Sequence, residues 1–242
     1  MFNQEEIKRY TRHFQLKEIG LKGQNKLKAS KVLVVGAGGL GCPALTYLTA
    51  MGIGEIGVLD FDVISHSNLQ RQFLFSYEDI GKSKVEVAIL KLKVQNPNVI
   101  FHEHNTKLTL ENANIIFSSY DYILDATDSI PTRYLINDTC VNLGKTFVYG
   151  AIHKFEGQVS VFNYKNTGPT YRCIFPENDR NNQVESCLEA GVVGIVPGVI
   201  GTIQATEILK IITGIGEVLN GKLFLMNFLD YSTQIIHFTR KI

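Results

Sequence analysis

The period of the apolar positions changes along the chain, and each change marks a predicted element. Residues 4–28 scatter Ile7, Tyr10, Phe14, Leu16, Ile19, Leu21 and Leu27 among charges, which predicts short amphipathic helices laid on a larger body. At Lys31–Val35 the pattern becomes a continuous β-branched run, read as a buried strand. A glycine-rich stretch at 36–41 leads from it into an apolar segment, 42–51, predicted as a buried helix. A strand is expected at 56–60, then a helix over 82–94 with Val85, Ala88, Ile89, Leu92 and Val94 near one face, then strands at 99–102 and 122–126. Pro131 opens a helix that Gly144 ends, and 145–149 is a further strand. Strands alternating with helices imply a parallel sheet covered on both faces. Beyond residue 150 the period becomes two, at 158–163, 222–227 and 234–239, the last pair separated by a polar turn near 230–233. Residues 166–185 read as a polar loop and 202–212 as a helix closed by Gly214. The expected fold is α/β: a Rossmann-like mixed sheet, parallel in its N-terminal half and largely antiparallel in its C-terminal half, with helices on both faces. With no internal repeat or linker, residues 1–242 are expected to form one domain.

Composition leaves some function classes unsupported. The 24 Lys and Arg balance 23 Asp and Glu for a net charge of +1, without the basic excess of a nucleic-acid binder. The longest uncharged run, 190–206, contains Gly191, Gly194, Pro197, Gly198 and Gly201, too broken for a membrane span. The charged N-terminal decapeptide lacks a secretory leader, and the 4 cysteines form no Cys-x-x-Cys pair. A reducing, cytoplasmic location is therefore expected.

Candidate chemistry starts at Gly36-Ala-Gly38-Gly39-Leu-Gly41, between a predicted strand and helix, where backbone N–H groups can receive a phosphate. Asp60 ends the next predicted strand, where a carboxylate can accept ribose hydroxyls. The alternative is a tight turn that only lets helix and strand pack. Glycines and carboxylate together do not separate NAD from ATP. The following stretch does so: close to the carboxylates of Asp60 and Asp62, the side chains of Asn68, Arg71, Gln72 and, after Gly81, Lys84 supply donors suited to a triphosphate and its leaving pyrophosphate.

Arg9-Tyr-Thr-Arg12-His, the 36–41 glycines, the 60–72 stretch, Ala126-Thr-Asp128, Gly157-Gln-Val, Cys187-Leu-Glu-Ala-Gly191 and Gly198-Val-Ile-Gly201 occur in order over nearly the whole chain. With these motifs the chain resembles the ThiF/MoeB/HesA family, bacterial relatives of ubiquitin-activating enzymes. The resemblance implies an ATP- and Mg2+-dependent adenylyltransferase acting on the C-terminal glycine carboxylate of a ubiquitin-like sulfur carrier protein ending in Gly-Gly, for thiamine or molybdopterin synthesis. It implies that Gly39 abuts the nucleotide, Asp60 holds its ribose, and Asn68, Arg71 and Lys84 hold the phosphates with Gln72 beside them. Asp128 would face Mg2+, although it could also cap the helix that follows. Arg12 would reach the nucleotide of a neighbouring subunit, so a homodimer is implied. Cys187 matches the position at which some relatives carry a thiol that takes up the carrier covalently; an incidental thiol is the alternative.

Two departures shape these expectations. Relatives often hold a structural zinc through two Cys-x-x-Cys pairs, whereas this chain reads Thr170-Tyr-Arg-Cys173 and ends Phe238-Thr-Arg-Lys-Ile242, so zinc is expected to be absent. No rhodanese-like segment is seen, so the sulfur donor is expected to be another protein. Three rival functions remain: a threonylcarbamoyl-adenosine dehydratase-like relative, which bound tRNA would reveal; an NAD-dependent oxidoreductase, which Asn68, Arg71 and Lys84 disfavour; and a catalytically silent binding module, which would exchange no pyrophosphate.

Overall fold

A computed structural model describes residues 2–177 and 191–240. Two N-terminal helices, α1 (Gln4–Phe14) and α2 (Gly20–Ala29), precede the sheet. A reciprocal cap fixes the start of α1: the Asn3 side chain accepts the Glu6 N–H at 2.8 Å, and the Glu6 carboxylate accepts the Asn3 N–H at 2.9 Å. Tyr10, Ile19 and Leu27 turn inward, whereas Ile7, Leu16 and Leu21 are exposed, so the apolar stripe is narrower than the sequence pattern suggests.

The chain then runs β1 (Lys31–Val35), α3 (Gly41–Met51), β2 (Glu55–Asp60), α4 (Lys84–Gln95), β3 (Ile100–Asn105), α5 (Leu110–Ser118), β4 (Tyr122–Asp125), α6 (Ile130–Asn142), β5 (Thr146–His153) and β6 (Glu156–Phe162). A short α7 (Tyr171–Ile174), the long α8 (Ile195–Thr213), β7 (Lys222–Asn227) and β8 (Thr233–His237) follow. One eight-stranded sheet has the order β3-β2-β1-β4-β5-β6-β7-β8. Pairs from β3 across to β5 are parallel and those from β5 to β8 antiparallel, as expected for the Rossmann-like mixed sheet.

Alternation along β1 divides the core. Val32 and Val34 belong to one cluster with Leu45, Leu48, Ala88, Leu92 and Ile208 from α3, α4 and α8. Leu33 and Val35 belong to the other, with Phe117, Ile136 and Cys140 from α5 and α6. Helices therefore cover both faces. The order of connections positions the site: from β1 the chain moves outward to β2 and β3, then returns to place β4 on the other side of β1. Loops leaving β1 and β4 diverge there, opening a crevice at the carboxyl ends of these strands.

Four local expectations need correction. Val94 is 82% exposed, because a position two residues past the buried Leu92 lies about 200° around the helix axis, on the outer face of α4. Helix α5, absent from the pattern reading, buries only Ala113 and Phe117 and leaves Leu110 and Ile115 in solvent. The 166–185 stretch, read as loop, contains α7, and residues 178–185 lie outside the described part. Helix α8 begins at Ile195, not at residue 202. Pro197 sits in its first turn, where a backbone N–H has no intrahelical acceptor. Among the described residues α8 is the helix long and apolar enough to cross a membrane, but half of its apolar window is buried, packed on α3, β5 and β6.

Candidate functional site

The crevice encloses about 360 Å³, within the range of small-molecule sites. One wall is the turn from β1 to α3. Gly36 has φ +100°, and a Cβ there would lie 2.7 Å from the Ala126 carbonyl oxygen, so the chain can leave β1 against the end of β4 only without a side chain. Gly41 opens α3 behind this wall. A Cβ on it would lie 2.0 Å from the Gly36 carbonyl, which assigns it to closing the turn and not to lining the crevice. Gly36, Gly38 and Gly39 line the cavity, and Gly39 also backs onto Pro197 of α8.

Asp60, at the end of β2, is buried and holds this turn. Its Oδ2 accepts the Ala37 N–H at 2.7 Å and its Oδ1 accepts the Asp62 N–H at 2.9 Å. Each oxygen keeps accepting capacity on the crevice side, as a ribose diol requires.

The opposite wall comes from a single turn of helix. A 3-10 segment, His66–Asn68, continues as a loose helical turn in which the Asn68 carbonyl accepts the N–H groups of Arg71 at 3.0 Å and Gln72 at 2.9 Å. This spacing sets Asn68, Arg71 and Gln72 side by side on the cavity. Asn68 Oδ1 accepts the Ser65 N–H at 3.0 Å, which leaves its NH2 as the donor end. Arg71 Nη1 donates to the Ser67 carbonyl at 2.9 Å, fixing the guanidinium while other donors remain. Gln72 is buried, and its Oε1 has no hydrogen-bond partner among the described residues.

Lys84 is the first residue of α4 and only 5% exposed. A cation at a helix N-terminus opposes the helix dipole, and burial adds desolvation. Asp62 offsets both, accepting from Nζ at 2.7 Å. An ammonium carries three donors, so the pair still leaves two for an anion in the cavity.

Asp128 lies beyond β4, exposed on the rim of the crevice. It does not cap α6; the Ser129 hydroxyl does so, accepting the Thr132 N–H at 3.4 Å. Among the described residues no three His, Cys, Asp or Glu side chains cluster as a metal cage. A magnesium ion held by one carboxylate, phosphate oxygens and water needs no such cage.

Two residues named from the sequence lie elsewhere. Arg12 is exposed on α1, donates to Gln15 Oε1 at 3.3 Å, and does not reach the crevice of its own chain. Cys187 lies outside the described residues. The thiols of Cys42 and Cys140 are core groups: burial pushes the first up to about 12 and the second well above the ordinary thiol range.

The crevice also holds residues that sequence reasoning missed. Arg133, in the first turn of α6, is buried. Its Nη2 donates to the Thr127 carbonyl at 3.0 Å, and its guanidinium lies 5.4 Å over the Tyr149 ring. The available signal was a single arginine near the start of α6, directly before the apolar Tyr134-Leu135-Ile136. Phe61 and Lys107 form a rim pair, with Lys107 Nζ 5.8 Å from the Phe61 ring centre; no local motif marks them. Beneath the floor Asp125 is fully buried, and burial raises its carboxyl above the usual range against the opposing effects of Arg133 and Thr127.

Comparison with known proteins places these features in context. The ThiF family model matches residues 10–241. A sulfur carrier protein adenylyltransferase of Thermus thermophilus is 46% identical over 235 residues, 96% of this chain and 87% of the relative. A probable molybdopterin-synthase adenylyltransferase of Porphyra purpurea is 48% identical over 240 residues, 98% of this chain but 63% of the relative, so the chain spans less than two thirds of that protein. The crystal structure of E. coli MccB with ATP superposes with a TM-score of 0.84 over 99% of this chain and 73% of that one, at 23% identity, a likeness of fold.

Proposed function

The chain belongs to the ThiF family, and from that premise we propose that it uses ATP to adenylylate the C-terminal glycine carboxylate of a ubiquitin-like sulfur carrier protein, serving thiamine or molybdopterin synthesis. The observation that carries this reading is the convergence of Asn68, Arg71, Gln72 and the buried Lys84 on the cavity that the glycine turn and Asp60 enclose. Relatives named as adenylyltransferases support the reaction class.

The chemistry follows from the charges. A terminal carboxylate is ionised near pH 7 and needs no base, but its approach to a triphosphate joins two anions. One carboxylate oxygen attacks the α-phosphorus; the bond from that phosphorus to the oxygen bridging to the β-phosphate breaks, and its electron pair leaves with pyrophosphate. No proton moves. The protein must supply positive charge and in-line placement. Arg71, Lys84 and the Asn68 NH2 are assigned to the phosphates, and Asp60 to the ribose hydroxyls. The unpartnered Gln72 oxygen fits a bound donor, such as a hydroxyl or a water, and leaves a polar atom idle without one. Asp128 is assigned to Mg2+, which when bound neutralises phosphate charge.

The finer reading is a cytoplasmic homodimer in which Arg12 serves the partner's crevice, with sulfur supplied by a separate protein. The solvent position of Arg12 and an exposed apolar rim of Phe73, Val193 and Ile195 beside Arg71 support an approaching copy. The test is ATP–pyrophosphate exchange with purified carriers. Exchange is expected only with a carrier ending in Gly-Gly and should vanish when its last glycine is deleted. Exchange indifferent to the carrier would refute the reading.

A further inference from the structure

Asp125 ends β4 directly under the crevice, and the reaction outlined above gives it no role. Its burial is complete, and its Oδ2 has no hydrogen-bond partner among the described residues. A buried carboxyl with an idle oxygen is costly; an apolar residue would cost less there. Its other oxygen is fully used. Oδ1 accepts both the Thr127 N–H at 3.0 Å and the Thr127 Oγ1–H at 2.7 Å, closing an Asx turn over residues 125–127. The main-chain carbonyl of Asp125 accepts from Gln204 Nε2 of α8 at 2.6 Å, so the turn is anchored from below as well. The turn has two outputs in the crevice: the next residue is Asp128 on the rim, and the Thr127 carbonyl holds Arg133 on the floor.

We propose that Asp125 and Thr127 are positioning residues: the carboxylate clamps Thr127, and the clamped turn sets the Asp128 carboxylate where a nucleotide-bound divalent cation is taken. This rests on the ATP and Mg2+ reading of the same crevice. Thr127 is the better place to test it, since it is half-buried and Thr127→Val keeps the shape and the N–H while removing the hydroxyl donor. Thr127→Ser keeps the donor.

The measurement is thermal stabilisation of the full chain by ATP, titrated with MgCl2 and repeated with ATP in EDTA. In Thr127→Val the Mg2+ concentration at half-effect should rise about tenfold, the scale of one hydrogen bond to a charged group. The shift with ATP in EDTA should stay at the parental value, and Thr127→Ser should return the midpoint to within about threefold of the parent. A Val variant that titrates like the parent overturns the proposal. So does one whose metal-free ATP shift falls in step, because the turn then shapes the whole cavity and not the cation site. A parent chain without Mg2+-dependent stabilisation would instead sink the nucleotide reading itself, and this inference with it.

Discussion

Arg71→Ala is expected to slow carrier-dependent ATP–pyrophosphate exchange on the order of 10²–10³-fold, the usual scale for removing one transition-state charge partner. The effect should be large because Arg71 is pre-set. Its guanidinium is tied to the Ser67 carbonyl at 2.9 Å, and the turn that carries it is closed by the Asn68 carbonyl. Little reorganisation is needed when charge develops on the phosphates, and the remaining N–H donors form a fork matched to a phosphate. Arg71→Lys should recover only part of the rate, since a lysine supplies a point charge without the fork. Folding is not at stake: no core side chain depends on the guanidinium, and the melting temperature of Arg71→Ala should stay close to the parent's. Exchange at the parental rate in a folded Arg71→Ala protein would remove this residue from the machinery.

Arg12→Ala and Asp128→Ala, each nearly inactive alone, are expected to restore activity when mixed. If Arg12 serves the partner's crevice, a heterodimer holds one site with its own Asp128 and the other chain's Arg12, both intact. Random pairing of equal amounts then gives about a quarter of the parental sites. The geometry makes the distinction sharp, because Asp128 lines the crevice of its own chain while Arg12, on the outer side of α1, does not. Subunit exchange followed by native mass spectrometry identifies the heterodimer, and the exchange assay reads the site. A verified heterodimer with no activity would confine each site to one chain or remove one of the two residues from it.

The sequence made the parallel half of the fold legible because β1, β2, β4 and β5 are short, mostly apolar runs, as buried parallel strands require, while the edge strand β3 is polar and largely exposed. It also placed Asp60, Asn68, Arg71, Gln72 and Lys84 together, since they lie close in the chain after β2 and need no long-range fold to meet. What stayed hidden depends on packing between distant segments. Helix α5 offers only a short apolar face, because Ala113 and Phe117 are its buried residues, Ile116 packs partly buried beside them, and Leu110 and Ile115 stay in solvent. The first two turns of α8 fell outside the helix predicted over 202–212, since Gly194, Pro197, Gly198 and Gly201 are poor helix formers. Two of these glycines are needed for contact: a Cβ on Gly194 would lie 2.2 Å from the Gln70 carbonyl and one on Gly201 2.3 Å from the Leu40 carbonyl. Helix propensity gives way there to close approach of α8 to both walls of the crevice. Arg133 and Asp125 were missed for a related reason, as their roles come from β4, α6 and Tyr149 meeting under the cavity.

The central claim is that a carboxylate oxygen of the carrier attacks the α-phosphorus of ATP in this crevice. An isotope experiment tests it most directly: a carrier whose C-terminal carboxylate is labelled with ¹⁸O is incubated with enzyme, ATP and Mg2+, the activated carrier is trapped with hydroxylamine, and the released nucleotide is weighed by mass spectrometry. Attack by the carboxylate predicts AMP carrying one ¹⁸O atom and unlabelled pyrophosphate. Unlabelled AMP, or ADP with labelled phosphate, would contradict the account, because the bond to the carrier would then have formed by another route or at another phosphorus.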